Sequence, residues 1–134
     1  MDFDKLATVD RHEAGAECNI LDPGTGKPTD VFIKIQGADS KAWRAAKKNQ
    51  TAKIIAARAA KKDLDGDIND LGIDFDKMDI DALVSVTIDW RGITKGGKPY
   101  KFSAENAEAL YSQAPSIVRQ LLNYIGDGEN FTGG

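Results

Sequence analysis

The chain has 134 residues, of which 41% are hydrophobic and 29% are charged, and its formal net charge is -3. This length and composition fit one globular domain, and no stretch reaches the ~18 apolar residues that cross a bilayer. One cysteine, Cys18, excludes an intramolecular disulfide, and one histidine leaves too few soft ligands for a structural zinc site. The amino terminus lacks the basic-then-apolar pattern of a secretory signal, so we expect a cytoplasmic protein.

The first fifteen residues alternate in charge and carry few apolar side chains, apart from Phe3, Leu6 and Val9. Their spacing of three predicts either one helical turn or a lead that packs when a partner arrives. His12 has charged neighbours on both sides and no second titratable cluster in view. We therefore interpret His12 as a solvated histidine rather than a catalytic one.

Residues 15–37 predict a β-hairpin, because side chains alternate between apolar and polar from Ala16 to Leu21 and again from Val31 to Gln36. The nine residues between these strands, DPGTGKPTD, contain two prolines and two glycines and predict a long polar loop. A phosphate-binding P-loop would need four residues between its glycines and a helix after its lysine, whereas Pro28 and a strand follow here. A lone hairpin is unstable in water, so its apolar face must rest on helices.

A long helix is predicted over residues 40–62, capped by Asp39 or Ser40. Its apolar stripe is thin, so the helix must expose a broad polar face. The stripe consists of Trp43, Ala46, Gln50, Ile54, Ala57 and Lys61. No acid lies between positions 41 and 62, and the basic residues are Lys41, Arg44, Lys47, Lys48, Lys53, Arg58, Lys61 and Lys62. From this basic face we select five candidate partner-binding residues, namely Lys47, Lys48, Arg58, Lys61 and Lys62.

Residues 63–76 invert the charge, because aspartates dominate them and Lys77 is the first basic residue that follows. The acids of this region are Asp63, Asp65, Asp67, Asp70, Asp74, Asp76, Asp79 and Asp81. The segment DLDGDIND suggests a calcium-binding loop, but its spacing does not fit one. If Asp63 is the first ligand, Ile68 occupies the position that requires a glycine for the turn. If Gly66 occupies that position instead, the last position of the loop, which requires a bidentate acid, is a glycine. We interpret the segment as a solvated acidic linker that reduces self-repulsion of the basic helix.

Residues 79–90 fit two patterns. Val84, Val86, Ile88 and Trp90 alternate as the side chains of a strand do. Ile80, Leu83, Val84, Thr87, Ile88 and Arg91 also trace one face of a helix, and the acids before them suit a helix amino terminus. The residues alone leave both structures open.

The last forty or so residues predict a turn and two short helices. Gly96 and Gly97 supply the positive φ values of a tight turn. Ser103 is a helix N-cap residue, and Pro115 begins a second helix that ends at the glycine in position 126. Because helices this short are marginal alone, the pair must pack on the rest of the chain.

The stretch from Trp90 to Phe131 resembles the carboxy-terminal part of tail assembly chaperones of long-tailed bacteriophages and prophages. The resemblance covers roughly a third of the chain. The positions that carry it are Trp90, Gly92, Ile93, Pro99, Phe102, Ser103, Glu105, Asn106, Ala107, Leu110, Tyr111, Pro115, Ile117, Gln120, Leu121, Tyr124, Ile125, Asn130 and Phe131. Of these we interpret Trp90, Gly92, Phe102, Ser103, Glu105, Asn106, Tyr111, Pro115 and Tyr124 as the scaffold of the family motif.

The layout of that family implies an α+β fold in a single domain over residues 1–134. An N-terminal β-hairpin would pack on a mainly α-helical body made of the long basic helix, a middle helix and the C-terminal helix pair. Residues 77–131 would form the helical C-terminal part, and the layout favours a helix over 77–90. Phe131 and the tail GENFTGG are candidates for contact with a partner.

The resemblance implies a protein without catalysis or cofactor. It would bind the tape-measure protein, help to bring the major tail-tube protein to it in the host bacterial cytoplasm, and be absent from the mature virion. We also expect weak self-association, because many copies would coat an elongated partner.

Two other functions fit the sequence. A structural tail or head-completion subunit, retained in the virion, would have the same size and the same lack of catalytic motifs. A nucleic-acid regulator would use the basic helix, although the acidic run and the net negative charge disfavour it. An enzyme is disfavoured because we find no histidine pair, no nucleophile with a base at a recognisable spacing and no nucleotide-binding fingerprint.

Overall fold

The structure is a computed structural model that describes residues 1–60 and 72–133, and it confirms the predicted α+β class. The helices in this part of the chain are α1 (Phe3–Leu6), α2 (Val9–Ala14), α3 (Lys41–Ala60), α4 (Phe75–Val86), α5 (Ala104–Gln113), α6 (Pro115–Gly126) and α7 (Glu129–Thr132). The strands are β1 (Ala16–Leu21), β2 (Pro28–Ile35), β3 (Thr87–Arg91), β4 (Thr94–Lys95) and β5 (Lys98–Pro99).

The predicted hairpin is present, but it belongs to a larger antiparallel sheet with the order β1-β2-β3. Cys18 pairs with Ile33, and Ile33 pairs in turn with Trp90. These three side chains are buried on the same face, as are Ile20 and Ile35. β2 begins at residue 28, earlier than predicted, because a proline is tolerated at the first position of a strand. The polar loop is correspondingly shorter.

The helix predicted over residues 77–90 is present as far as residue 86 and wrong for the last four residues. α4 ends at Val86 and the chain continues directly as β3. Of the predicted strand pattern, Val84 and Val86 lie in the helix, Trp90 is buried in β3, and Ile88 is exposed. Thr87 marks the change, because its hydroxyl donates to the Leu83 carbonyl at 2.7 Å. Pairing with β2 overrides the helical pattern beyond this point, since a third strand covers an edge that a two-stranded hairpin would leave open.

The acidic linker predicted over residues 63–76 falls mostly outside the described residues, as does the DLDGDIND segment. Its end is described and is partly helical, because α4 begins at Phe75. Asp74 is the N-cap of α4, and its carboxylate accepts a hydrogen bond from the Lys77 amide at 3.0 Å. An aspartate at this position suits the positive end of the helix dipole.

The predicted glycine turn after β3 is confirmed, and a third glycine nearby also has a positive φ. Gly96 and Gly97 have φ values of 59° and 77° and form the turn between β4 and β5. Gly92 has φ of 87°, and a Cβ atom built there would lie 2.1 Å from the Asp30 carbonyl oxygen. The close approach of two backbone segments therefore requires glycine at position 92.

The C-terminal helices form as predicted. The Ser103 hydroxyl caps α5 by accepting from the Asn106 amide at 3.0 Å, and Pro115 occupies the first turn of α6. The Asn106 side chain does not complete a capping box and donates instead to the Lys101 carbonyl at 2.8 Å. The buried core that these helices share with the sheet contains Cys18, Ile20, Ile33, Ile35, Leu83, Val86, Trp90, Ala107, Tyr111, Leu121, Ile125 and Phe131.

α6 also protects the free edge of β1. The Gln120 side chain accepts from the Leu21 amide at 2.7 Å and donates to the Leu21 carbonyl at 3.1 Å. The Tyr124 hydroxyl donates to the Glu17 carbonyl at 3.1 Å. These side chains take the place of a neighbouring strand, so part of the edge is unavailable for pairing with another chain.

The prediction of a solvated His12 is wrong, because the residue is only 3% exposed. Its ring stacks on Phe131 with centroids 4.9 Å apart, and its Nδ1 accepts a hydrogen bond from the Asp39 amide at 3.0 Å. Flanking charges did not indicate burial, because Arg11 and Glu13 are half-buried and hydrogen-bonded to other segments, while α7 folds back over His12. The two ends of the described chain are joined at this contact.

Candidate protein-binding surface

α3 is the longest described helix and is attached along one narrow stripe. Trp43, Ala46, Gln50, Ile54 and Ala57 are half-buried, as their spacing predicted, and no residue of the helix is fully buried. The Gln50 side chain donates through Nε2 to the Met78 carbonyl of α4 at 3.0 Å. The helix therefore lies against α4 without entering the core.

The N-terminal end of α3, which we call its base, is held by more hydrogen bonds than the rest of the helix. Ser40 is fully buried, and its hydroxyl accepts from the Trp43 amide at 3.2 Å, which identifies Ser40 rather than Asp39 as the cap. A carboxylate oxygen of Glu13 accepts from the Lys41 amide at 2.8 Å, where the helix dipole favours a negative charge. The other carboxylate oxygen accepts from the Gln36 side chain at 3.3 Å.

The role of Glu13 was not predicted, since its partners are distant in sequence. The polar positions on α2 gave no signal that one of them would cap α3. The result of these contacts is a helix that starts in a fixed direction from the end of β2.

The outer side of α3 is exposed and carries a single sign of charge. The basic residues Lys41, Arg44, Lys47, Lys48, Lys53 and Arg58 are all exposed, and no acid occurs between positions 41 and 60. Among the ion pairs formed within residues 1–60 and 72–133, none involves these six side chains. Lys47 lies with its Nζ atom 4.6 Å from the centroid of the Trp43 ring, which is a cation–π contact.

One large apolar side chain interrupts this charged surface. Ile55 is 63% exposed, although isoleucine is among the residues most often buried in proteins. A single exposed apolar residue is ordinary by itself, but this one lies among exposed cations on α3. A surface of this kind can form both ionic and apolar contacts with a partner.

A groove of about 510 Å³ runs between α3 and α4. Its walls consist mainly of small side chains, with Gln50, Lys53, Met78 and Asp81 as the larger ones. Alanines at the contact between α3 and α4 bring few atoms together, so α3 buries little surface and the groove stays open.

The sequence-predicted partner-binding residues separate into three groups. Lys47, Lys48 and Arg58 lie exposed on α3. Lys61 and Lys62 lie outside the described residues. Phe131 does not belong to this surface: it is 8% exposed and packs between His12 and Tyr124, whose ring it meets edge-on at 5.5 Å. We therefore withdraw it as a partner contact.

The predicted scaffold residues hold the body together at several separate positions. Trp90 is buried, donates through Nε1 to the Tyr100 carbonyl at 2.7 Å and meets the Phe102 ring edge-on at 5.2 Å. The Tyr111 hydroxyl is hydrogen-bonded to that of Thr87 at 2.8 Å. Of the remaining scaffold residues, Gly92, Ser103, Asn106, Pro115 and Tyr124 make the turn, cap, helix-start and edge contacts described above, and Glu105 lies exposed in the first turn of α5.

The buried cysteine thiol and tyrosine hydroxyl of the core remain protonated at neutral pH. Burial raises the pKa of Cys18 to about 11, so its thiol lacks the thiolate character of a nucleophile. Burial also raises the pKa of Tyr111 to about 12, although the hydrogen bond with Thr87 acts in the opposite direction. Burial raises the pKa of Tyr124 as well.

No protein family, no curated protein and no solved structure matches this chain. Within the described ranges, no helix is long and apolar enough to cross a membrane. In the same ranges, no three histidine, cysteine or acidic side chains are grouped so that they could hold a metal ion.

Proposed function

We propose that this protein is a non-catalytic binding protein that acts as a phage tail assembly chaperone and binds the tape-measure protein. The observation that carries this proposal is α3, a long helix with no fully buried residue and with a one-sign basic outer face. The specific partner is taken from the resemblance of residues 90–131 to that family.

The distribution of residue roles supports a binding function for α3. The scaffold residues of the resemblance mostly serve as core, turn and cap residues. Like charges on neighbouring turns of one helix destabilise it, so the basic residues of α3 do not serve the folding of this alanine-rich helix. The acidic linker predicted over residues 63–76 would offset part of this charge, and we propose that an acidic partner offsets the rest.

In this proposal the protein acts in the host bacterial cytoplasm and is absent from the mature virion. It brings the major tail-tube protein to the tape-measure protein, needs no cofactor and binds neither membrane nor nucleic acid. Weak self-association accompanies this role, and we expect the average mass from light scattering to rise with concentration. A strict monomer at high concentration, alone and with the tape-measure protein, would contradict self-association.

Co-expression with the tape-measure protein encoded beside it tests the proposal. We expect a soluble complex in an affinity pull-down at moderate salt, less of it at high salt, and insoluble tape-measure protein when this chain is omitted. The alternative function predicts a different result. If the tape-measure protein stays unbound and this chain is found in purified virions, the protein is a structural tail or head-completion subunit.

A further inference from the structure

The outer face of α3 has a regular arrangement that indicates the shape of its partner. We define the outer stripe as Lys41, Arg44, Lys48, Ile55 and Arg58. Lys41, Lys48 and Ile55 recur at intervals of seven residues, so they lie nearly on one line along the helix. All five side chains are exposed. A seven-residue repeat along an exposed face is the period at which one helix contacts another.

The residues along one side of the stripe permit close approach of a second helix. Ala45, Ala52 and Ala59 are exposed and recur at the same interval of seven. They form a second line beside the stripe, on the side that leads towards the groove with α4, so their methyl groups leave room there for the backbone of a partner helix. The alanines only allow this approach, and the charges and Ile55 decide what can bind.

The charge of the stripe selects an acidic partner. Arg44 and Lys48 are one turn apart, as are Lys41 and Arg44, and each such pair of like charges is unfavourable in the free protein. Carboxylates placed opposite these side chains would remove the repulsion and add attraction. Ile55 lies in the same line and requires an apolar side chain from the partner, which distinguishes a protein helix from a phosphate backbone.

We propose that the outer stripe of α3 binds one acidic amphipathic α-helix of a partner protein, with carboxylates at Arg44, Lys48 and Arg58 and an apolar side chain over Ile55. The 20 residues of α3 span about 30 Å, so the partner segment is of similar length. The inference deepens the proposed function and rests on it only for the identity of the partner, namely a segment of the tape-measure protein.

A designed peptide provides the direct test. The probe is a fluorescein-labelled peptide of about three heptads with a leucine and alanine seam flanked by glutamates. A scrambled peptide of identical composition and a DNA oligonucleotide are the comparison ligands. Binding to the full chain is measured by fluorescence anisotropy. We expect the heptad peptide to bind at least about tenfold more tightly than the scrambled peptide.

Three variants locate the binding on α3. The charge reversal Arg44→Glu with Lys48→Glu is expected to weaken binding of the heptad peptide by at least about tenfold. Ile55→Ser is expected to weaken it several-fold, because the apolar contact is lost. The matched control, Lys27→Glu with Lys98→Glu, makes the same change in net charge at exposed positions away from α3 and is expected to leave binding within about twofold.

Circular dichroism establishes that the variants fold, as exposed substitutions normally do. Equal affinity for the heptad and scrambled peptides would overturn the inference, since it would show attraction to charge alone. Tighter binding of the oligonucleotide would replace the acidic helix with nucleic acid. An effect of the control variant equal to that of the α3 reversal would also overturn the inference.

The same variants in the co-expression experiment separate the two proposals. If the wild-type chain holds the tape-measure protein in solution and the Arg44→Glu and Lys48→Glu variant does so equally well, the proposed function stands and the α3 inference fails. If the heptad peptide binds as expected but the wild-type chain does not retain the tape-measure protein, the α3 inference stands and the proposed function fails.

Discussion

The C-terminal helices and α3 use their residues in opposite ways. α5 and α6 have 10 and 12 residues, and between them they bury Ala107, Tyr111, Leu121 and Ile125. α3 has 20 residues and buries none of them fully. The longest helix of the described chain therefore contributes no fully buried side chain to its core. Helix length reflects local propensity, whereas burial depends on which side chains line the contact.

α5 and α6 stabilise the fold, whereas the outer face of α3 is exposed and accessible to a partner. α6 places large apolar groups on the sheet and closes the edge of β1, so a change there disturbs packing on two sides. α3 is fixed at its base and lies lightly on α4, so changes on its outer face alter charge with little effect on packing. Stability and binding should therefore respond to different sets of substitutions.

The largest expected effect is the loss of a core side chain. Leu121 is fully buried, and Leu121→Ala should lower the free energy of unfolding by about 2–5 kcal/mol because it removes apolar contacts and leaves a cavity. The matched change on the other helix is Ile55→Ala, which should alter stability by less than about 0.5 kcal/mol. Urea unfolding of both variants measures the contrast. Equal losses would mean that α3 is part of the core.

A second expected effect arises from backbone geometry at Gly92. Gly92→Ala should lower the free energy of unfolding by at least about 2 kcal/mol, because φ is positive there and the methyl group would meet the Asp30 carbonyl. Gly126→Ala is the matched control. It adds a methyl group in open space at the end of α6 and should be neutral or stabilising by up to about 1 kcal/mol. Equal unfolding midpoints for the two variants would contradict the close approach at position 92.

Local rules predicted the elements of this fold better than their pairing. The alternation around Cys18, the three-to-four period around Trp43 and the cap at Ser103 each depend on neighbouring residues, and each is present in the structure. The contacts that join distant segments were missed. β3 pairs with β2 across more than fifty residues, and the stacking of His12 on Phe131 joins the two ends of the described chain.

The candidate surface was predicted to a similar extent. The run of basic residues on α3 is visible in the sequence, and unpaired cations are rarely buried, so the exposure of Lys47, Lys48 and Arg58 was predictable. Phe131 was misplaced because an aromatic residue in a glycine-rich ending suggests a free tail, whereas its burial depends on α2. Glu13 gave no local signal for its contact with the base of α3.

Alkaline pH should weaken the core. Burial raises the pKa of Cys18 to about 11 and that of Tyr111 to about 12, both above their ordinary values. A raised pKa in the folded state means that the unfolded chain loses these protons first. The stability associated with protonated Cys18 is therefore complete below about pH 9, falls as pH rises and is lost through about pH 11.

Urea midpoints measured from pH 8 to 11 test this slope. Cys18→Ala should flatten the alkaline decline, since it removes one of the titrating groups, and Ile55→Ala should leave the decline unchanged. A Cys18→Ala variant with an unaltered decline would show that the thiol does not contribute to it.

The smallest expected effect on stability has the opposite sign and separates folding from binding. Lys48→Glu replaces the repulsion between positions 44 and 48 with an attraction across one helical turn, which is a change of about 0.5 kcal/mol in favour of folding. Thermal unfolding at low salt should therefore show a midpoint higher by about 1–2 °C, and added salt should remove the gain. The same substitution should weaken binding of an acidic helix.

A variant that is more stable yet binds less tightly would mean that selection keeps the basic face of α3 for a partner at a cost in stability. Lys27→Glu serves as the control, because position 27 is exposed in a loop and outside any helix. If Lys48→Glu lowers the unfolding midpoint instead, the lysine stabilises α3 within the free protein, and its charge no longer indicates a partner.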